Sequence, residues 1–274
     1  MPELPEVETV RQTLKQLILN KTITDVSIYW DNIIKRPKGP EDFTQWLSGQ
    51  TFRDIERKGK FLIFKLDDLS LVSHLRMEGK YNVHPSTSEI PKHTHVIFHF
   101  EDGTELRYQD VRKFGTMHAF RKGEEIENKP LLLLGPDPFD SEFTVDYFYR
   151  KLQKTTRNIK SVLLDQSIVA GLGNIYVDEA LFRARINPER QANQLNLEEA
   201  GQIRDASIDT IMEAINQGGT TIRSYLNGQG QMGMFQQQLR VYGKQETPCL
   251  TCGTSIVKRK VSGRGTHICP NCQK

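Results

Sequence analysis

Cys249-Leu250-Thr251-Cys252, followed after sixteen intervening residues by Cys269-Pro270-Asn271-Cys272, decides how the end of this 274-residue chain folds. Two Cys-x2-Cys knuckles at that separation bring four thiolates within tetrahedral reach of one Zn2+, the spacing of a zinc ribbon. All four cysteines of the protein are used here. Two disulfides are the alternative, and a cytosolic setting opposes them. A closed four-thiolate site keeps no open coordination position, so one structural zinc is expected and no catalytic metal. The ion would hold a hairpin with its tip near Ser262-Gly263-Arg264-Gly265, where glycines leave Arg264 projecting. His267 reads as a hairpin residue, with a ligand role as the alternative.

Charge follows the same division. From Arg240 to Lys274 there are seven Lys/Arg against the single acid Glu246, so this tail carries +6 and residues 1–239 carry −3. A basic terminal module on a near-neutral body suits a polyanionic partner. The alternative, a solvated basic tail, fits less well because the cysteines argue that this segment folds. The composition, 37% hydrophobic and 26% charged, is that of a globular protein with length for two domains. Leu131 to Leu134 is the longest leucine run, far short of a membrane span. The N-terminus lacks a basic region followed by an apolar run, so no secretory leader is expected. A cytoplasmic monomer with no membrane partner is the expectation.

Upstream of the finger the hydrophobic spacing is helical. Phe143 to Gln153, Arg157 to Asp165, Asn174 to Arg185 and Leu197 to Gln217 read as four helices. The glycine-rich stretch Gly218 to Gln238 reads as a mobile surface loop. Charge, Gly and Pro cluster in residues 121–138, which marks a linker. Before it the pattern changes to short strands: Thr24 to Trp30, Lys60 to Leu66, Leu69 to Met77 and His95 to Phe100 are rich in β-branched and aromatic residues. Asp102-Gly103 reads as a tight hairpin turn. Val7, Val10, Leu14, Leu17 and Ile18 recur at helical spacing, so one amphipathic helix opens the chain. The fold class expected is α+β. An N-terminal antiparallel β-sandwich domain spans 1–122, a linker 123–140, a helical domain 141–238 and the zinc finger 239–274.

Four stretches carry candidate chemistry. Met1-Pro2-Glu3-Leu4-Pro5-Glu6 places an imino acid and two carboxylates at the terminus. With Met1 removed, Pro2 is a secondary amine able to form an iminium, with Glu3 beside it and Glu6 one turn on. Ordinary helix-start chemistry, Pro and acids in a first turn, is the other reading. Val169 to Tyr176 (VAGLGNIY) reads as a glycine turn with Asn174 capping a helix, either a phosphate-binding helix start or a plain helical corner. In Asp110-Val111-Arg112-Lys113-Phe114-Gly115, an exposed Arg and Phe either fill a gap in a base stack or end a hairpin over one core aromatic. Arg57-Lys58-Gly59-Lys60 leads into a strand, with Lys60 reaching a phosphate or the reaction centre, or simply solvent. His93, His95 and His99 alternate along one strand and form a weaker metal candidate, because no carboxylate or cysteine partner is near.

Taken together, the runs Pro2 to Arg11 (PELPEVETVR), Ser73 to Gly79 (SHLRMEG), Asp110 to Gly115, Gly171 to Phe182 (GLGNIYVDEALF) and Gly263 to Thr266 before the second knuckle resemble bacterial formamidopyrimidine-DNA glycosylase. The match runs in order over the whole chain. The resemblance implies a helix–two-turns–helix domain between sandwich and finger, with DNA in the cleft between the domains. It implies a base excision repair enzyme that flips an oxidised purine (8-oxoguanine or a formamidopyrimidine) out of double-stranded DNA. Pro2 nitrogen would attack C1′ of the sugar, Glu3 would act as acid/base, and β- and δ-elimination would cut the strand.

Other roles come from matching positions. Lys60, Asn174 and Arg264 would clamp phosphates, and Lys60 and Arg264 would assist the eliminations. His93 would touch the DNA backbone. Met77, Arg112 and Phe114 would fill the vacated stack, with Arg112 facing the orphan cytosine. Thr220, Thr221, Arg223 and Tyr225, in the loop Gly218 to Tyr225, would close over the extruded base, and Glu78 would touch it. The nearest alternative is the oxidised-pyrimidine branch (endonuclease VIII), against which Arg112, Phe114 and Val169-Ala170-Gly171 argue. A non-enzymatic zinc-ribbon DNA-binding protein and an enzyme using Lys60 as the Schiff-base amine are the others.

Overall fold

Val7, Val10, Leu14 and Ile18 fall on one side of a helix and are at most 1% exposed, so Leu4–Ile18 forms α1 and packs that side inward. The computed structural model describes residues 1–220 and 233–274. After α1 come β1 (Ile23–Ile28), β2 (Ile34–Arg36), α2 (Pro40–Leu47), β3 (Asp54–Lys58), β4 (Phe61–Lys65), β5 (Leu69–His74), β6 (Lys80–Pro85), β7 (Thr94–Phe100), β8 (Thr104–Gln109) and β9 (Thr116–Arg121). Among the described residues these strands make a four-stranded sheet, β1-β7-β8-β6, and a five-stranded sheet, β2-β9-β5-β4-β3. Pairing is antiparallel except between β2 and β9.

One core joins both sheets. Phe64 and Leu71 from one and Val96, Phe98 and Leu106 from the other belong to it, with Val7 and Leu14 of α1. Phe52 packs edge-on against Phe64, Phe98 and Phe100 at centroid distances of 5.5, 6.3 and 5.9 Å. This is a β-sandwich, with α1 against β3 and β4. The chain crosses from the larger sheet to the smaller after β5, through residues 75–79, and returns after β8 through residues 110–115. Asp102-Gly103 turns β7 into β8, with Gly103 at φ +78°.

The second compact unit covers Leu133–Gly219 and Met234–Lys274, while Met1–Leu132 with Thr220 belongs to the first. It holds α3 (Val145–Leu152), α4 (Ile159–Leu163), α5 (Asn174–Arg183), α6 (Leu197–Asn216) and the hairpin β10 (Val257–Val261) and β11 (Arg264–Ile268). Thr144, Asn158 and Asn196 cap α3, α4 and α6 by accepting a backbone N–H two or three residues inside each helix. The Glu179 carboxylate of α5 accepts the N–H groups of Arg240, Val241 and Tyr242 at 2.8, 2.9 and 2.8 Å, fixing the chain where it enters the finger. Burial pushes that carboxyl above its ordinary range despite the three donors. Among the described residues no helix is long and apolar enough to cross a membrane.

Candidate active site

At the start of α1, Pro2 is buried, and Glu3 and Glu6 are each 4% exposed. The Glu3 N–H donates to Glu6 Oε2 at 2.8 Å. The other oxygen, Glu6 Oε1, accepts from Thr220 N at 2.7 Å and Thr220 Oγ1 at 3.1 Å. One carboxylate thus ties the chain terminus to a residue more than two hundred positions away. Sequence spacing put Glu6 on the side of Glu3 but gave no sign of this tether. Thr221, Arg223 and Tyr225 lie outside the described residues.

Lys60 is 6% exposed on the turn between β3 and β4, where Gly59 takes φ +55°. The turn is held to α1. Arg57 donates from Nε to Glu8 Oε2 at 3.0 Å and from Nη1 to the Gly59 carbonyl at 3.0 Å. Glu8 also receives Arg11, closest at 2.6 Å. Burial alone would raise the Glu8 carboxyl. The Arg11 hydrogen bonds and the charges of Arg11 and Arg57 outweigh it and hold Glu8 down at about 2. Beside Lys60 stands His74 at the end of β5, edge-on to Phe61 at 4.4 Å. Burial, then the positive charges of Arg76 and Lys60, push the imidazole down to about 3. It is therefore neutral at pH 7, and its Nδ1 accepts the Arg76 N–H at 2.8 Å. A neutral ring beside a buried ammonium adds no repulsion. His74 lies inside the SHLRMEG run, yet nothing in the local pattern marks it as a neighbour of Lys60.

The two sheet-crossing segments carry the expected stack fillers. Met77 is half-buried and Glu78 exposed on the first. On the second, Phe114 is 52% exposed and the Arg112 guanidinium lies 4.9 Å from its ring centroid. Phe114 is thus held out of the core beside the Arg112 cation and does not end the hairpin as a core aromatic. Asp110, 1% exposed, builds the segment. It accepts the N–H groups of Arg112, Phe114 and Gly115 at 3.0, 2.8 and 2.8 Å. His93 is exposed just before β7, at φ +65°, and its carbonyl accepts the Asp110 N–H at 3.0 Å. His95 and His99 turn to separate partners, the Asp110 carbonyl and the Glu105 carboxylate. The three histidines do not form a metal site among the described residues.

In the second unit, Gly173 takes the N-cap position and Asn174 the first turn of α5, one place further in than expected. The Asn174 amide donates to the Gly265 carbonyl at 3.0 Å, so the helix start and the hairpin tip are brought together. Arg264 is exposed on that tip. Ser262 anchors the turn to α4 through Asn158 and Ser161, each at 2.8 Å. Beneath it is a fully buried ion pair, Lys160 with Asp178 at 2.6 Å. Lys160 also donates to Thr266 Oγ1 at 2.8 Å and to the Gly265 carbonyl at 3.2 Å, and Asp178 accepts the His267 N–H at 2.9 Å. His267 is committed to this network and is not a metal ligand. Neither Lys160 nor Asp178 was legible as a support for Arg264.

The four cysteine Sγ atoms lie within 4.8 Å of one another, with Cys249–Cys272 at 3.9 Å and Cys252–Cys269 at 3.5 Å, and none is in a disulfide. Zn–S bonds of about 2.3 Å require sulfur separations of about 3.8 Å in a tetrahedron, so the donor set fits one Zn2+. Cys249, Cys252, Cys269 and Cys272 fill every position, and the zinc is structural.

Comparison with known proteins agrees with this order of parts. The family described as Formamidopyrimidine-DNA glycosylase N-terminal domain matches residues 1–117, the Formamidopyrimidine-DNA glycosylase H2TH domain matches 134–225, and the Zinc finger found in FPG and IleRS matches 247–274. The formamidopyrimidine-DNA glycosylase of Oceanobacillus iheyensis is 58% identical over 273 residues, covering 100% of this chain and 98% of that protein. That of Bacillus licheniformis is 58% identical over 274 residues, covering both chains fully. Among solved structures, wild-type Lactococcus lactis Fpg in complex with DNA containing N7-benzyl-Fapy-dG superposes with a TM-score of 0.93 at 43% identity over 100% of both chains. The same protein with DNA containing an abasic site gives 0.93 at 42% identity over 99% of each. With all three domains matched in order and full-length relatives this similar, the chain belongs to the formamidopyrimidine-DNA glycosylase family.

Proposed function

We propose that this chain, a DNA glycosylase of base excision repair with DNA as its partner, removes oxidised purines (8-oxoguanine and formamidopyrimidines) from double-stranded DNA and then cuts the strand. The observation that carries the reading is the buried start of α1, where Glu6 binds both the Glu3 N–H and Thr220. With Met1 removed, the neutral Pro2 nitrogen attacks C1′ of the flipped nucleotide. The base departs with its bonding pair, and Glu3 supplies a proton to the ring oxygen as the sugar opens. The resulting iminium acidifies C2′–H. Loss of that proton expels the 3′ phosphate, and a second elimination expels the 5′ phosphate. Water then releases the sugar fragment and restores the amine.

Lys60, Asn174 and Arg264 bind the phosphates around the flipped nucleotide, and Lys60 and Arg264 steady the charge on each departing phosphate. His93 contacts the backbone. Met77, Arg112 and Phe114 fill the vacated stack, since holding a base out costs a few kcal/mol. Thr220, Thr221, Arg223, Tyr225 and Glu78 read the extruded base. Zinc bound by the four cysteines holds the Arg264 hairpin in shape. The functional segments are 1–122, the linker 123–140, 141–238 and 239–274. The protein works as a monomer in the cytoplasm, associated with the nucleoid.

Pro2→Gly tests the nucleophile. Excision of 8-oxoguanine should fall sharply, and unchanged excision would remove Pro2 from its role. Substrate class is tested by comparing 8-oxoguanine opposite cytosine with thymine glycol. Faster release of thymine glycol would assign the enzyme to oxidised pyrimidines instead.

A further inference from the structure

The segments bearing Met77 and Phe114 meet on one side chain, Tyr108 of β8. A Cβ built on Gly115 would lie 1.8 Å from the Tyr108 hydroxyl oxygen, and one built on Gly79 would lie 2.2 Å from the same atom. Neither glycine has a positive φ. Their lack of a side chain is required by close approach, not by backbone freedom. The ring is fully buried and packs on Tyr81 at 5.0 Å, whose hydroxyl is 2.7 Å from Ser73 Oγ. It has no room to move aside. Its hydroxyl is also 3.5 Å from Asp110 Oδ2, the oxygen that accepts the Phe114 and Gly115 N–H groups. The other segment closes on itself, Gly79 N–H donating to the Leu75 carbonyl at 2.9 Å.

We infer that Tyr108 is a positioning residue that couples residues 75–79 to residues 110–115, so that Met77 and the Arg112–Phe114 pair enter the duplex as one wedge of fixed spacing. The two crossings are paired at their ends, His74 with Thr116 and Lys80 with Gln109, and Tyr108 bridges the unpaired spans between those pairs that carry Met77 and Phe114. Base pairs stack about 3.4 Å apart, so fillers that slip relative to each other lose register with the gap they fill. The hydroxyl contacts both backbones at a single point, and a displacement of one crossing is transmitted to the other. The inference rests on the stack-filling role proposed for Met77, Arg112 and Phe114.

The test compares single-turnover excision at 8-oxoguanine opposite cytosine with strand cleavage at a preformed abasic site. It uses the full-length protein and the variants Tyr108→Phe, Phe114→Ala, Met77→Ala and the two doubles with Tyr108→Phe. Tyr108→Phe should lower the ratio of lesion excision to abasic cleavage about tenfold, the scale of one lost buried hydrogen-bonding group. Each double variant should lose no more than the worse of its two singles. An unchanged ratio, or independent multiplying effects, overturns the coupling. If Phe114→Ala and Met77→Ala themselves leave the ratio unchanged, the wedge role fails and the coupling falls with it. Amide exchange in the free protein gives a second readout, and the Gly79 and Gly115 amides should lose protection together in Tyr108→Phe. Loss at one alone also overturns the inference.

Discussion

Glu6 and Thr220 are joined through a single carboxylate oxygen, which accepts both the backbone N–H and the hydroxyl of the threonine at 2.7 and 3.1 Å. The second oxygen holds the Glu3 amide, so the terminal residues and Thr220 share one anchor. Glu6→Ala removes the acceptor for all three donors. Hydrogen bonds to a charged group contribute about 1.5–3 kcal/mol. Single-turnover excision of 8-oxoguanine should therefore slow by at least about tenfold, with Glu6→Gln milder because an amide oxygen remains. Wild-type rates in Glu6→Ala would show that the anchor has no part in catalysis.

The buried pair Lys160–Asp178 makes a different prediction, on stability. Both side chains are 0% exposed, so Asp178→Ala leaves an uncompensated ammonium in the interior. Breaking such a pair costs about 3–5 kcal/mol, and replacing both partners by apolar groups restores much of it. Urea unfolding of Asp178→Ala and of Lys160→Met/Asp178→Ala measures this. DNA affinity should fall in the single variant, because the Gly265 carbonyl and Thr266 lose their ordered partner. Equal stability of Asp178→Ala and wild type would contradict the account.

His74 sets a pH dependence. Its folded pKa is about 3, against an ordinary value of 6.5, mainly because it is buried. Between these two values the unfolded chain binds the extra proton and the folded chain does not. The stability tied to the neutral ring is complete above about pH 6.5 and is lost as pH falls toward 3. That loss reaches up to about 1.4 kcal/mol per pH unit from this one group. In His74→Gln the amide oxygen still accepts the Arg76 N–H, and the acid loss of stability between pH 6 and 4 should be shallower by about that slope. Identical slopes would mean that His74 is already charged in the folded protein.

Removing zinc should unfold the finger, because the four cysteines take up protons and lose the ion that joins the two knuckles, whose binding free energy supplies the module's folding free energy. Chelated protein should bind duplex DNA weakly and regain binding when Zn2+ is returned. Full binding by the metal-free protein would make the finger dispensable.

Local chemistry was the readable part of this fold. The cysteine knuckles, the α1 spacing and the Asp102-Gly103 turn each depend on residues close in sequence, and each forms where expected. Helix α2 escaped notice although Pro40-Glu41-Asp42 after Gly39 is a helix-start signal, with Pro at N1 and acids in the first turn. The strands β2, β3, β6 and β9 were not expected either. The supports of the site were illegible for a different reason. Glu6 meets Thr220, Lys60 comes beside His74, Lys160 meets Thr266 and Tyr108 meets Gly79 only after folding, across 14 to 214 positions of sequence. A histidine such as His74 looks the same in sequence as His95 or His99, and burial beside a cation is what separates them.

The most direct test is borohydride trapping on a duplex carrying 8-oxoguanine opposite cytosine, with the cross-linked peptide mapped by mass spectrometry. A covalent adduct is expected at the nitrogen of Pro2, which would establish the nucleophile and the removal of Met1 together. An adduct at Lys60, or no adduct from protein with a verified free Pro2 terminus, would contradict it.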